Sequence, residues 1–325
     1  MSQHRSRSLL AGLAALAVAS AVGVLAPSGA VAAVPTGDFG AAVEQEVEQE
    51  VEQECFEPGA DIATAARGGQ AHDHRSVTAA EQRRIDARTD AILAKQTARQ
   101  LARAEARAAS IPVYVHVMAG SGGEGDVTDA AIAQQVAVLN ASYAGLNGAT
   151  AADTGFTFAL AGTDRYYNDT WHGDGATTSY RAQTRLGGSD ALNIWLVDFD
   201  YLGVATFPWD YASDPEIDGI RVQYSSLPGG VAPFDLGETA THEAGHWLGL
   251  YHTFQGACST TNDGVSDTPA QSSPTSGCPE GADTCAAAGL DPIHNYMDYS
   301  DDACYTEFTG GQSTRMSEMF AAYRG

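Results

Sequence analysis

"HEAGHWLGLYH", residues 242–252, spaces three histidines four and six positions apart and places a glutamate directly after the first. The stretch begins with good helix formers, so His242 and His246 lie one turn apart on one helix face, close enough to bind one ion. A straight helix would carry His252 about 9 Å further along its axis than His246. Gly249 can adopt positive φ, end the helix and return His252 to the same ion. The spacing therefore favours a three-histidine zinc site over an amphipathic helix that merely contains histidines.

The composition is globular and strongly acidic. Of 325 residues, 44% are hydrophobic and 18% are charged, which argues against general disorder and allows one large or two smaller domains. The net charge is −24, and residues 110–325 contain 27 acidic side chains against 6 arginines and no lysine. Such a surface repels nucleic acid and anionic lipid head groups. It either keeps the protein soluble or favours basic substrates.

The first 33 residues have the pattern of a secretory signal peptide. Two arginines precede an apolar run over residues 9–26, and small residues follow up to Ala33. This order of charge, apolar stretch and small-residue cleavage site predicts that residues 1–33 are removed during export. A retained membrane anchor is the alternative, because the run is just long enough to span a bilayer. We expect a secreted, extracellular protein whose paired cysteines form disulfides.

Residues 34–109 differ in composition and residue pattern from the rest of the chain. The segment "VEQEVEQEVEQEC" repeats valine every four positions among glutamates, and its charge favours a solvated segment. Thr78 and Glu81 match a capping box, from which we predict a helix that continues towards Arg107. This range has too few large apolar residues for a core of its own. We therefore predict a unit separate from residues 110–325.

Residues 110–325 alternate between strand and helix patterns. Strands are predicted in "IPVYVHVMA", "GFTFALAG", "ALNIWLVDF", "LGVATFP" and "GIRVQYSSL", and the fourth ends in a proline, as edge strands tolerate. Helices are predicted from Thr128, around residues 178–186 and within residues 306–325. A loop-rich lobe follows His252. This alternation predicts a layered α/β or α+β domain.

The cysteines divide into two groups. Four of them fall in the loop-rich lobe and allow three disulfide pairings, among which the sequence does not choose: Cys258, Cys278, Cys285 and Cys304. The fifth, Cys55, stands alone in residues 34–109.

The histidine motif resembles the zinc signature of the metzincin metallopeptidases, and "NYMDYS", residues 295–300, is similar to their Met-turn. The surrounding "HTFQG", "VSDTP" and "GLDPIHNYMDYSDDACYTEFTGGQ" resemble the pappalysin branch, in particular secreted cytophagalysin-type enzymes. The resemblance covers residues 111–325. It implies an α+β zincin catalytic domain over residues 110–325, with a twisted, mostly parallel sheet, an antiparallel edge strand, an active-site helix and a loop-rich, disulfide-bonded C-terminal subdomain. It also implies that residues 34–109 are a mainly helical propeptide.

The same resemblance implies the roles of the motif residues. His242, His246 and His252 would bind one zinc ion, and Glu243 would be the general base. Three neutral imidazoles leave the charge of the ion largely uncompensated and one position open for water, whose pKa falls to about 7. Glu243 would take a proton from the attacking water and pass it to the leaving amine.

Further residues receive roles from the resemblance alone. Met297 would form an apolar floor beneath the histidines, and Tyr299 would stabilise the oxyanion; simple packing is the alternative for both. The strand in residues 201–208 would pair with an extended substrate in the antiparallel sense, unless it is an ordinary edge strand. The implied disulfides are Cys258–Cys285 and Cys278–Cys304.

Two further sites are predicted in polar segments. Oxygen ligands suited to calcium occur in "TNDGVSDTP", where Asx turns explain the same residues equally well: Asn262, Asp263, Asp267 and Thr268. Cys55 could supply a thiolate as the fourth zinc ligand and keep a zymogen inactive; an incidental free thiol is the alternative. Cleavage near residues 103–110 would then release the mature enzyme.

The sequence thus predicts a secreted zinc metalloendopeptidase made as a zymogen. We expect its partners to be protein or peptide substrates and not nucleic acid. Membrane contact would occur only through the signal peptide during export. After propeptide removal the protein would be a monomer. One rival is an inactive adhesin or inhibitor with structural zinc, which Glu243 argues against, because a structural site needs no base. Another is a zinc hydrolase that acts on non-peptide amides.

Overall fold

The computed structural model describes residues 77–325, which belong to one compact unit. The predicted signal peptide, the acidic repeat and Cys55 lie outside the described residues. None of the helices between residues 77 and 325 has both the length and the apolar character needed to cross a membrane.

The described residues form seven α-helices and five strands. The helices are α1 Ala79–Leu93, α2 Ala98–Ala108, α3 Asp129–Tyr143, α4 Asp169–His172, α5 Thr177–Thr184, α6 Glu238–Trp247 and α7 Gly310–Tyr323. The strands are β1 Ile111–Ala119, β2 Phe158–Tyr167, β3 Leu192–Val197, β4 Gly203–Ala205 and β5 Ile220–Gln223.

One mixed sheet organises the domain. Its strand order is β2-β1-β3-β5-β4, in which every neighbouring pair is parallel except β5 and β4. Strand β3 is buried along its whole length, as its continuous apolar sequence predicts for a central strand. The antiparallel edge position of β4 agrees with the proline that follows it. The predicted mostly parallel sheet with an antiparallel edge strand is therefore confirmed.

The two faces of the sheet carry separate apolar clusters, because successive side chains of a strand point to opposite faces. Ile194 and Leu196 of β3 belong to the larger cluster, which includes residues of α3 and α6. Trp195 and Val197 belong to a smaller cluster with Tyr180 of α5. The active-site helix α6 is therefore packed directly on the main core.

The N-terminal helices differ from the prediction of one continuous helix. The chain breaks between α1 and α2 because Thr97 caps α2, and Thr97 and Gln100 form a complete capping box. The two helices are also not separate from the domain. The Thr89 hydroxyl lies 3.0 Å from the Tyr323 hydroxyl, and the Gln96 side chain donates to the Ala321 carbonyl at 2.7 Å.

The lobe after α6 contains little regular structure. It holds two disulfides, Cys258–Cys285 and Cys278–Cys304, which is the pairing that the resemblance implies. The disulfides join residues 27 and 26 positions apart, and in a chain-entropy description each stabilises the fold by about 3–4 kcal/mol. The cross-links compensate for the shortage of helix and strand in this lobe.

Candidate metal centre and active site

The three histidines of the motif converge. The Nε2 atom of His246 lies 3.1 Å from Nε2 of His242 and 3.2 Å from Nε2 of His252. All three residues are buried. Four ligands placed tetrahedrally around one zinc ion at about 2.05 Å are about 3.3 Å apart, so the three nitrogens have the separation that such an ion requires.

The backbone fixes the tautomers of two of these rings. Nδ1 of His242 lies 2.5 Å from the Tyr296 carbonyl, and Nδ1 of His246 lies 2.8 Å from the Leu250 carbonyl. Because a carbonyl only accepts hydrogen bonds, Nδ1 carries the proton in each ring and Nε2 presents a lone pair. Two lone pairs that face each other in a buried site repel, and a bound cation removes the repulsion.

The turn after α6 returns His252 to the other two rings. Gly249 has φ +98°, its N–H donates to the His246 carbonyl at 2.8 Å, and the Leu250 N–H donates to the Gly245 carbonyl at 2.9 Å. These two bonds define a Schellman motif, which ends a helix at a left-handed residue. Gly249 therefore has the positive φ that was predicted for it from the spacing of the three histidines.

The predicted Met-turn, residues 295–300, contacts helix α6 through Met297. A Cβ atom on Gly245 would lie 2.4 Å from the Met297 sulfur, so only glycine allows this approach. The Thr253 N–H donates to the Met297 carbonyl at 3.1 Å, which connects the turn to the segment of the third histidine. The ring of Tyr299 has its centroid 4.8 Å from His252 and 5.7 Å from His242.

The side chain of Glu243, on helix α6, lies against the edge strand β4. It is 1% exposed, and a Cβ atom on Gly203 of β4 would lie 2.2 Å from its Oε1 atom and 2.4 Å from its Cγ atom. The Glu243 side chain therefore packs against the backbone of Gly203. The sequence gives no signal of this contact, because 40 residues separate the two positions.

Two buried carboxyl groups surround the start of α6. Asp302 accepts hydrogen bonds from the N–H groups of Leu236 at 2.8 Å and Glu238 at 3.4 Å, and burial raises its pKa to about 6. Burial also raises the pKa of Glu238 to about 7, although the Ser142 hydroxyl donates to it at 3.0 Å. Asp302 therefore fixes the direction in which the active-site helix begins.

The four predicted calcium ligands have partners within the protein. The Asp263 carboxylate accepts from the Thr268 hydroxyl at 2.7 Å, and the Asn262 amide donates to the Thr268 carbonyl at 2.9 Å. Asp267 instead accepts from the Thr309 hydroxyl at 2.7 Å, at the start of α7. Only Asp263 and Thr268 are brought together through their side chains. Calcium binding stays a prediction.

A second group of metal-ligand residue types, Cys278, His294 and Cys304, also comes together. The two sulfur atoms are joined in a disulfide, so they are not available as thiolate ligands. His294 Nδ1 lies 2.6 Å from the Cys304 carbonyl, which braces the chain just after the Met-turn.

The sequence also gives no signal of an ion pair near the end of helix α6. Arg324 is fully buried and bonds both oxygens of Asp218 at 3.0 Å. Its guanidinium lies 3.7 Å from the ring centroid of Trp247, and its Nε donates to the Trp247 carbonyl at 3.0 Å. This pair holds the last turn of α6 against the C-terminal helix.

The site and fold agree with comparisons to known proteins. A peptidase family model described as "Pregnancy-associated plasma protein-A" matches residues 200–321. An extracellular metalloprotease of Pyricularia oryzae is 47% identical over 225 residues, which cover 67% of this chain and 77% of that protein. The chain belongs to the pappalysin-type metalloproteases. Extracellular metalloprotease 1 of Coccidioides posadasii is also 47% identical, over 66% of this chain and 78% of that protein.

Solved structures of mirolysin and promirolysin from Tannerella forsythia are similar to this metalloprotease. Mature mirolysin in complex with a cleaved peptide is 30% identical with a TM-score of 0.58, covering 66% of this chain and 95% of that one. A promirolysin variant is 29% identical with a TM-score of 0.60, covering 77% and 94%. The protein is accordingly an extracellular peptide hydrolase with a metzincin-type fold.

Proposed function

We propose that this pappalysin-type metalloprotease is a secreted, zinc-dependent endopeptidase made as a zymogen. The observation that supports it most directly is the convergence of three imidazole Nε2 atoms in a buried site. His242, His246 and His252 are the zinc ligands in this proposal. Nitrogen donors at this separation suit zinc, and the tautomers of two rings already present their lone pairs.

Each residue around the metal has its own role in the proposed reaction. When bound, zinc supplies Lewis-acid polarisation of the scissile carbonyl and lowers the pKa of water. Glu243 accepts the proton of the attacking water and then donates it to the leaving amine. The Tyr299 hydroxyl donates a hydrogen bond to the developing oxyanion. Met297 supports the floor of the site through its contact with Gly245.

The substrate would lie along β4. This strand is an edge of the sheet, and the described strands pair with it on one side only, through β5. Its second edge can therefore pair with an extended peptide in the antiparallel sense. Gly203 brings this strand against Glu243, so a peptide bond aligned on β4 would lie next to the proposed base. The cleaved peptide in the mirolysin complex is consistent with this substrate class.

The zymogen part of the proposal concerns residues before the described range. Cys55 would supply a thiolate to the zinc and exclude the catalytic water until the pro-region is removed. Replacement of Cys55 with Ala is then expected to speed self-activation. The similarity to promirolysin supports a precursor of this kind. After processing we expect a monomer.

The proposed function is tested with two variants of the secreted protein. Wild-type protein is expected to digest casein, and 1,10-phenanthroline or Glu243→Gln should abolish digestion, with the rate falling by at least about a hundredfold. Glu216→Gln is the matched control, because this glutamate is exposed and should leave the rate unchanged. Metal analysis should find one zinc per molecule in all three proteins.

Other results would favour the rivals. Zinc-loaded wild-type protein without activity on any peptide would support a binding protein with structural zinc. A peptide-library digest without cleavage, together with hydrolysis of simple amides, would support the non-peptide hydrolase. Full activity of Glu243→Gln would remove this residue from its proposed role.

A further inference from the structure

A buried glutamine joins the segment of the third histidine to the predicted Met-turn. Gln271 lies in the lobe after α6 and is fully buried. Its Oε1 atom accepts a hydrogen bond from the Thr253 hydroxyl at 2.7 Å, and its Nε2 group donates to the Asp298 carboxylate at 3.0 Å. Thr253 directly follows His252, and Asp298 directly precedes Tyr299. One side chain therefore bridges the segments of a proposed zinc ligand and of the proposed oxyanion donor.

The partners of Gln271 fix the orientation of its amide. An ionised carboxylate only accepts hydrogen bonds, so the amide nitrogen faces Asp298 and the amide oxygen faces Thr253. The amide nitrogen also donates to the Thr275 hydroxyl at 2.9 Å. Turning the amide over would place its oxygen against the buried Asp298 carboxylate, away from water that could offset the repulsion. The bridge therefore has one orientation.

The Asp298 carboxylate connects this bridge to Tyr299. Its Oδ1 atom accepts from the Tyr299 N–H at 2.8 Å and from the Thr275 N–H at 3.0 Å. The Tyr299 ring packs edge-to-face on the two rings beside Thr253, with centroids 4.8 Å from His252 and 5.0 Å from Phe254. The bridge thus holds the backbone of Tyr299, and the segment at the other end of the bridge holds its ring.

We propose that Gln271 is a positioning residue, which sets the place of the Tyr299 hydroxyl relative to the metal. This inference rests on the proposed function, because only there is Tyr299 the oxyanion donor. A displaced donor stabilises the transition state less, whereas the ground state contains no oxyanion and is little affected. Loss of the bridge should therefore lower kcat and leave KM nearly unchanged.

The metal site itself does not depend on the bridge. The Thr253 N–H donates to the Met297 carbonyl at 3.1 Å, and this backbone bond remains when the side chain of Thr253 is changed. Backbone carbonyls also orient the rings of His242 and His246. Zinc affinity should therefore stay the same without the bridge, which separates the positioning of Tyr299 from a general loosening of the site.

The bridge is tested from both of its ends in the activated enzyme, with a fluorogenic peptide as substrate. Thr253→Val replaces the hydroxyl by a methyl group, and Gln271→Met removes the amide. We expect each to lower kcat about tenfold, with KM and zinc content unchanged. Thr253→Ser keeps the hydroxyl and should stay within about twofold of the wild-type kcat.

Thr184→Val is the matched control for the loss of a buried threonine hydroxyl. This hydroxyl accepts a hydrogen bond from Trp195 Nε1 at 2.8 Å, and Trp195 belongs to the smaller apolar cluster on the other face of the sheet from α6. Its kcat should equal that of the wild type. Wild-type kcat in both Thr253→Val and Gln271→Met overturns the positioning role.

A double-mutant cycle shows whether the bridge acts through Tyr299. Tyr299→Phe removes the hydroxyl, so adding Gln271→Met to it should lower kcat no further. Losses that multiply overturn the positioning role, because a structural defect would act independently of Tyr299. Wild-type kcat in Tyr299→Phe also overturns this inference and leaves the zinc endopeptidase intact. A wild-type protein that binds no zinc overturns the proposed function together with it.

Discussion

At the scale of single residues, the site depends on two glycines that allow close contacts. Gly245 admits the Met297 sulfur beneath the helix, and Gly203 admits the arm of Glu243 beside the edge strand. In each case a methyl group would lie within about 2.5 Å of another atom, which is far below van der Waals contact. These glycines therefore matter through the space that they leave for neighbouring side chains and not through backbone conformation.

Gly203→Ala is expected to displace Glu243 without unfolding the protein. The added methyl group overlaps Oε1 and Cγ of the glutamate, so the carboxylate must move away from the position where it meets the substrate. We expect kcat to fall at least about tenfold, with zinc content unchanged and KM changed less than kcat.

The matched control for this substitution is Gly173→Ala, where the nearest atom to the added Cβ is the Asp169 carbonyl oxygen at an ordinary 3.6 Å. Its kcat should equal that of the wild type. If Gly203→Ala retains wild-type kcat, the contact with Glu243 has no part in catalysis.

At the scale of elements, the end of α6 determines whether the third histidine reaches the other two. Gly249 must adopt φ +98° and also lies close to α7, because an added Cβ would be 2.6 Å from Cγ of Met319. Conformation and packing therefore both exclude other residues at this position.

Gly249→Ala is expected to weaken zinc binding by more than its backbone strain explains. Gly229→Ala separates the two effects, because Gly229 also has positive φ, at +84°, but an added Cβ meets nothing within 4 Å. Both variants should lose about 1–2 kcal/mol of unfolding free energy from the left-handed conformation. Only Gly249→Ala should lose zinc affinity, by at least about tenfold, in chelator competition. Similar affinities in the two variants would contradict this account of the turn.

Several elements follow from the sequence because their signals are local. Helix α3 begins after Thr128, where the helical spacing of apolar residues predicts a helix, and β1 occupies the alternating segment from Ile111. Long-range contacts leave no such signal. The approach of Gly203 to Glu243 and the Asp86–Arg315 pair join residues 40 and 229 positions apart. Nothing in the neighbouring sequence of any of these residues identifies its partner.

At the scale of the whole molecule, buried carboxyl groups make stability depend on pH. Burial raises the pKa of both Glu238 and Asp263 to about 7 from ordinary values near 4. A carboxyl group whose pKa is raised by folding favours the folded state when it is protonated. Its contribution is therefore complete below about pH 4 and is lost as pH rises through about 7.

Glu238→Gln is expected to reduce this dependence. Between pH 5 and pH 8 the variant should lose about 2 kcal/mol less unfolding free energy than its parent, because its amide does not ionise. Urea unfolding in the Glu243→Gln background avoids self-digestion, and Glu216→Gln in the same background is the exposed control. Equal losses in both proteins would show that Glu238 does not titrate in this range.

The enclosed sulfur of Met297 also bears on resistance to oxidants. It is fully buried, and so are the other methionines in residues 77–325, at positions 118, 316 and 319, none of which is more than 2% exposed. Peroxide forms a sulfoxide only where it can reach a thioether, and the added oxygen would have no room beside Gly245. In the folded protein these four thioethers should therefore resist peroxide, so that methionine sulfoxide in these positions records a loss of structure.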